Sequence, residues 1–109
     1  MKYSAIVAGT GFEGRADIIR RHVKPGMVIN LKPEPENKYD PNAIAVHIKV
    51  RPWYLLFIPC EFQIGYLKKR LAATVSKKLR EGGKAQASVK SMDTYLDHPR
   101  VSIEIMASW

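Results

Sequence analysis

Residues 43–50 read Ala43-Ile44-Ala45-Val46-His47-Ile48-Lys49-Val50, with Ile44, Val46, Ile48 and Val50 at every second position and Ala45, His47 and Lys49 between them. Successive side chains of a strand point to opposite faces, so this period of two predicts a β-strand with one apolar face. Downstream, the apolar run Trp53-Tyr54-Leu55-Leu56-Phe57-Ile58 ends at Pro59, after which Phe62, Ile64 and Tyr66 alternate again. That pattern predicts a second strand returning beside the first, a hairpin with an apolar tip. Upstream, Met27-Val28-Ile29-Asn30-Leu31 is a further strand candidate. It must give way at Pro33-Glu34-Pro35-Glu36-Asn37, because two prolines lack the N–H groups that a sheet interior requires.

Further out, Ala5 to Ala8 predict a strand running into a loop at Gly9, Gly11 and Gly14, and Asp17 to Val23 predict two helical turns stopped by Pro25-Gly26. Leu67, Leu71, Val75 and Leu79 recur every four residues with Ala72 beside them, and Gly82-Gly83 follows, so an amphipathic helix over 67–80 is expected. Lys77, Lys78 and Arg80 suit the negative end of its dipole, whereas Lys68 and Lys69 oppose the positive end. Ala85 to Met92 and Val101 to Ile105 are two more short strands around a polar turn at Asp97-His98-Pro99. Short strands, two helices and tight turns indicate an α+β or barrel-like, mainly β domain with an antiparallel sheet rather than a wound parallel one.

The chain of 109 residues has the size of one domain, 1–109, and is 46% hydrophobic, enough for one core. Lys and Arg number 18 against 10 Asp and Glu, a net charge of +8 that favours polyanionic partners. One cysteine, Cys60, closes no disulfide within the chain and builds no multi-cysteine zinc site. The N-terminal apolar run is too short for a signal peptide, and residues 53–58 are too few to span a bilayer. A soluble intracellular protein without a membrane anchor is expected, cytoplasmic, or nuclear in a eukaryote.

Gly9-Thr10-Gly11-Phe12-Glu13-Gly14 matches the G-x-G-x-x-G dinucleotide fingerprint, with Glu34 at a suitable distance. The fold that uses it needs repeated βαβ units, which the hairpin pattern does not supply, so a glycine-rich turn is the better reading. Glu34, Glu36 and Asp40 resemble a divalent-cation site, but one proline-containing loop is a poor scaffold for it and a solvated turn is preferred. His22, His47 and His98 show no ligand spacing, and there is no G-x-x-x-x-G-K loop for ATP. No cofactor is expected, and no catalysis. In Glu34-Pro35-Glu36-Asn37-Lys38-Tyr39-Asp40-Pro41-Asn42-Ala43 an aromatic ring stands among amide, ammonium and carboxylate groups, the components of a base-stacking platform. Tyr66-Leu67-Lys68-Lys69-Arg70 adds an aromatic and three cations at a helix start, where backbone N–H groups favour phosphate.

These segments together resemble the HIRAN domain. The resemblance rests on Gly9 and Phe12, on Gly26-Met27, on residues 34–46 ending Tyr39-Asp40-Pro41-Asn42-Ala43-Ile44-Ala45-Val46, and on Ile64-Gly65-Tyr66-Leu67-Lys68-Lys69 leading into the helix. It covers nearly the whole chain. The resemblance implies a modified OB-like antiparallel β-barrel and a module that captures single-stranded DNA at its 3′ end, serving a separate helicase or nuclease in DNA repair or processing. It further implies that Phe12 and Tyr39 stack on bases, that Asn37 contacts the strand's backbone, and that Asp40 accepts a hydrogen bond from the 3′ hydroxyl. Lys68 and Lys69 would neutralise phosphates and Tyr66 would line the same groove.

Two departures stand out. Residues 51–62 form an apolar insertion where the family has a short turn, and Gly11 stands where eukaryotic members carry a basic residue. So dense an apolar segment is expected to be buried on the barrel, in a homodimer contact or on a partner enzyme. A protein-interaction or dimerisation domain using 51–62 is therefore the alternative reading.

Overall fold

The computed structural model describes residues 1–12, 14–94 and 99–109. In chain order the elements are β1 (Lys2–Ile6), α1 (Arg15–His22), β2 (Val28–Pro33), β3 (Ile44–Val50), β4 (Cys60–Tyr66), α2 (Lys69–Arg80), β5 (Ala85–Asp93) and β6 (Arg100–Ala107), with a 3₁₀ turn at Trp53–Leu55 between β3 and β4. The strands pair antiparallel in the order β1-β6-β5-β2-β3-β4. The predicted alternation holds in β3, where Ile44, Val46 and Ile48 are fully buried and Lys49 is exposed; Ala45, on the other face, is buried as well. Ile64, Val101, Ile103 and Ile105 meet them in one core, closed by Ile19 from α1 and by Ala72 and Val75 from α2.

The expected OB-like barrel is not closed. Its two edge strands approach only beyond the end of β1, where Ala8 and Tyr66 exchange two backbone hydrogen bonds of 2.8 and 2.9 Å. This crossing explains the glycine of Ile64-Gly65-Tyr66, since a Cβ at Gly65 would stand 2.3 Å from the Ala8 carbonyl oxygen. Immediately after the bridge the chain turns away at Gly9, with φ of 74°, so no ladder extends it.

Helix termini follow the sequence closely. Pro25-Gly26 forms a turn with Met27 N–H donating to Lys24 C=O and Gly26 at φ 85°, the glycine position of a type II turn. At the end of α2, Gly83 N–H donates to Lys78 C=O and Gly82 N–H to Leu79 C=O, a Schellman cap with Gly82 at φ 92°.

The hairpin β3–β4 has its apolar tip, but the tip is not buried. Trp53 is 75% and Leu56 83% exposed, and Tyr54, Leu55, Phe57 and Ile58 are exposed too. The segment is satisfied internally, with Leu55 and Phe57 N–H groups donating to Pro52 C=O and Leu56 N–H to Trp53 C=O. Leu56 and Phe57 both take left-handed backbone angles, φ 54° and 61°, which fold the chain into a knob that carries its side chains outward. Its link to the body is Tyr54 Oη, 3.3 Å from Nε2 of His22, whose ring stacks on Phe62. The predicted turn at Asp97-His98 lies outside the described residues. No helix among the described residues is long and apolar enough to cross a membrane.

Candidate functional site

The loop from Glu34 to Ala43 is built by its own polar side chains. Glu34 N–H donates to Ala43 C=O across its base. Asn37 Oδ1 accepts from the N–H groups of Tyr39 (2.9 Å) and Asp40 (3.1 Å), and Asp40 Oδ1 accepts from Asn42 N–H at 2.9 Å. Asn and Asp are suited to this because their short side chains mimic a backbone carbonyl one turn on. Arg80 of α2 donates to Asn42 Oδ1 at 3.1 Å and anchors the far side. The result is an ordered loop that holds the Tyr39 ring 85% exposed.

The facing wall is the turn after Ala8. Phe12 N–H donates to Gly9 C=O, Arg15 N–H to Phe12 C=O, and the Phe12 ring is 69% exposed. Arg15, at the start of α1, is only 7% exposed; its Nη1 donates to Gly9 C=O at 3.0 Å and its guanidinium lies 5.5 Å from the centre of the Tyr66 ring. Tyr66 Oη in turn donates to Glu34 Oε1 at 3.0 Å, the same oxygen that accepts from Asn37 Nδ2. A chain of contacts therefore runs from Gly9 through Arg15, Tyr66, Glu34 and Asn37 to the backbone of Tyr39 and Asp40, tying both walls together.

Between the walls lies an open concavity of about 590 Å³, floored by Ala8, Gly9, Ala43 and Leu67 and edged by Phe12, Arg15, Asn37, Tyr39, Asp40, Tyr66 and Lys69. Cations at Arg15 and Lys69 and two exposed rings surround Asp40, among the described residues the one carboxylate lining the groove. Its Oδ2 has no hydrogen-bond partner among the described residues. The groove can thus stack flat rings, attract phosphate and accept one hydrogen bond.

Phe12, Asn37, Tyr39, Asp40, Tyr66 and Lys69, expected from sequence, come together here. Lys68 does not: it is the N-cap residue of α2 and faces a neighbouring concavity. Asn37 sits at the groove with its amide engaged inside the loop, where its Oδ1 holds the Tyr39 and Asp40 backbone. Arg15 went unnoticed in the sequence, where it is one more cation among many in a basic chain; only the bridge between Ala8 and Tyr66 gives it a ring to cover. Glu34, read as part of an acidic cluster, is the shared acceptor of the network. No three His, Cys, Asp or Glu among the described residues are placed to hold a metal ion. Of the fingerprint glycines, Gly9 and Gly14 take positive φ as turn residues, while Glu13 and His98 lie outside the described residues.

Away from the groove, His47 stands on the outer side of β3 between Lys32 of β2 and Glu61 of β4, which form an ion pair. Burial, and then the Lys32 charge, hold His47 below its ordinary value of 6.5, against the opposing pull of Glu61 and Glu34. Glu61 is held below its ordinary value first by the hydrogen bond from Lys32. His47 Nδ1 lies 3.4 Å from Glu61 Oε1 yet makes no hydrogen bond among the described residues.

The sequence model of the HIRAN domain matches residues 2–109. Among solved structures the fold is similar to that of the HIRAN domain of human HLTF, at 19% identity over 97% of this chain and 74% of that one, with a TM-score of 0.69. It is also similar to a protein from Lactobacillus plantarum, at 19% identity over 96% of this chain and 97% of that one, with a TM-score of 0.66. None of the curated proteins matches the chain.

Proposed function

Given that the chain belongs to the HIRAN domain family, we propose that it is a non-catalytic module that binds single-stranded DNA at a free 3′ end in the groove between Phe12 and Tyr39. The observation that carries this reading is the pairing of two exposed rings with cations around an Asp40 carboxylate oxygen that has no hydrogen-bond partner among the described residues. In this reading Phe12 and Tyr39 stack on terminal bases, which any base tolerates because every base has a π-face. Lys69 meets phosphate, and Arg15 adds positive potential under the Tyr66 ring. A carboxylate repels phosphate and accepts only from a donor, so Asp40 Oδ2 suits the hydroxyl that ends a strand. Asn37 positions both. Such a module would deliver a DNA end to a separate repair or processing enzyme, a helicase or a nuclease.

Fluorescence anisotropy with matched oligonucleotides bearing a 3′ hydroxyl or a 3′ phosphate tests it. The hydroxyl strand is expected to bind more tightly, and Asp40→Ala to erase the difference; equal affinities in the unaltered protein would remove end recognition from the reading.

The exposed tip favours a second reading, in which residues 51–62 dock a protein or a second copy of the chain. Light scattering over a dilution series checks self-association: a particle mass that stays monomeric at every concentration excludes a homodimer.

A further inference from the structure

The first turn of α2 divides its cations between two concavities. Lys69 edges the groove, whereas Lys68 and Arg70 edge a second, larger cleft of about 780 Å³ between α2 and strands β1, β5 and β6. Lys90 joins them from β5. Ser4, Thr74, Ser91 and Ser102 supply hydroxyls between the apolar surfaces of Tyr3, Ala5, Ile6 and Leu71, and among the described residues no carboxylate lines it. Neither Lys68, Arg70 nor Lys90 is paired with an acid among the described residues, in a protein whose Lys2, Arg20 and Lys32 are.

The presence of Lys90 and Ser91 in the cleft is a departure from regular strand geometry. Ala87 and Val89 point into the core, so alternation would send Ser91 inward next. Instead the register with β6 shifts between Val89, opposite Ile103, and Ser91, opposite Ser102, leaving Lys90 as the extra residue of a β-bulge. The bulge leaves both Lys90 and Ser91 exposed to the cleft and returns Met92 to the core. A bulge re-aims side chains at the cost of ladder regularity. Here it gathers a third cation beside two that already oppose the helix dipole, an arrangement unfavourable in the free protein and relieved by a bound anion.

We propose that this cleft is a second binding site, for the phosphodiester backbone of the strand whose end occupies the groove, entered over the first turn of α2. The inference rests on the proposed function and extends its footprint: the groove takes terminal bases, and the cleft takes the phosphates of the nucleotides behind them. The hydroxyls in its lining suit phosphate oxygens, and contacts to phosphate carry no sequence information.

The test compares oligonucleotides of about 4 and about 12 nucleotides, near the two ends of the usual site sizes for such domains, on the unaltered chain, on Arg70→Gln/Lys90→Gln and on Tyr39→Ala. The double variant is expected to bind the short strand as the unaltered chain does. It should bind the long strand about tenfold more weakly, with the salt slope for the long strand reduced by about 1.4, or 0.7 for each lost single-strand phosphate contact. The charge-conserving Arg70→Lys/Lys90→Arg should restore long-strand binding; failure to do so would mean damage to the fold rather than loss of a site, and would count against the proposal. Long-strand affinity and salt slope unchanged in the glutamine variant would overturn the cleft while leaving the groove intact. If the unaltered chain bound neither strand, groove and cleft would fall together. Tyr39→Ala, by contrast, weakens both strands.

Discussion

The two ends of β3 carry opposite kinds of loop. Before it, residues 34–43 are polar and cross-braced, with Asn37 and Asp40 side chains capping backbone N–H groups and Arg80 reaching over from α2. After it, residues 51–59 are largely apolar, with backbone hydrogen bonds among themselves and Tyr54 Oη reaching His22, and bent through two bulky residues in left-handed backbone angles. Both expose aromatic rings, and the exposure means different things. Tyr39 stands out because a rigid frame holds it next to a groove, which spares a ligand the cost of ordering it. Trp53 and Phe57 stand out because the knob turns back on itself before it can reach the core.

The comparison predicts where substitutions matter. The largest effect is expected at the tip of the braced loop: Tyr39→Ala should weaken single-stranded DNA binding by about 1–3 kcal/mol, measured by anisotropy, whereas Trp53→Ser in the knob should leave that affinity unchanged. Loss at both positions would erase the distinction between the loops. Next comes the frame itself. Asn37→Ala leaves two N–H groups without their side-chain acceptor and should cost about 1 kcal/mol of stability in denaturant unfolding, together with part of the DNA affinity. In the knob the sign reverses: Phe57→Gly relieves an L-residue of φ 61° and should raise stability, by no more than about 1 kcal/mol, in the same unfolding measurement.

The smallest effect lies on β3 between the loops. Because His47 is held below 6.5 when folded, the unfolded chain takes up its proton first as pH drops. The stability that the neutral ring contributes is complete above that value and is lost as pH falls through the lowered one. Glu61, also lowered, adds a loss at still lower pH, below its ordinary 4.5. His47→Gln should flatten the upper part of this fall in pH-dependent thermal melts and leave the lower part; an unchanged profile would show that another group titrates there.

Much was legible along the chain because the relevant physics is local. Alternation in Ala43 to Val50, the four-residue recurrence of Leu67 to Leu79, and the stops at Pro25-Gly26 and Gly82-Gly83 all depend on neighbours a few positions away. The groove residues Phe12, Tyr39, Asp40 and Lys69 could be named through motifs that resemble a known family. Arg15 could not, because its partner Tyr66 lies far along the chain and meets it only where Gly65 lets the Ala8 backbone pass. That Lys68 lines a different concavity from Lys69 was hidden for a related reason: adjacent residues at a helix start point in different directions, and which wall each meets depends on what packs there.

Sequence alone determined the class of each element, the composition of the polar loop and the basic character of the surface, since backbone sterics, side-chain period and charge are properties of short segments. Tertiary structure decided that the sheet stops short of a barrel, that the apolar tip faces outward, that Arg15 and Glu34 brace the groove, and that a bulge sets Lys90 beside Arg70. Each of these depends on the distance of approach between segments remote in the chain, and that is settled only when the whole core packs.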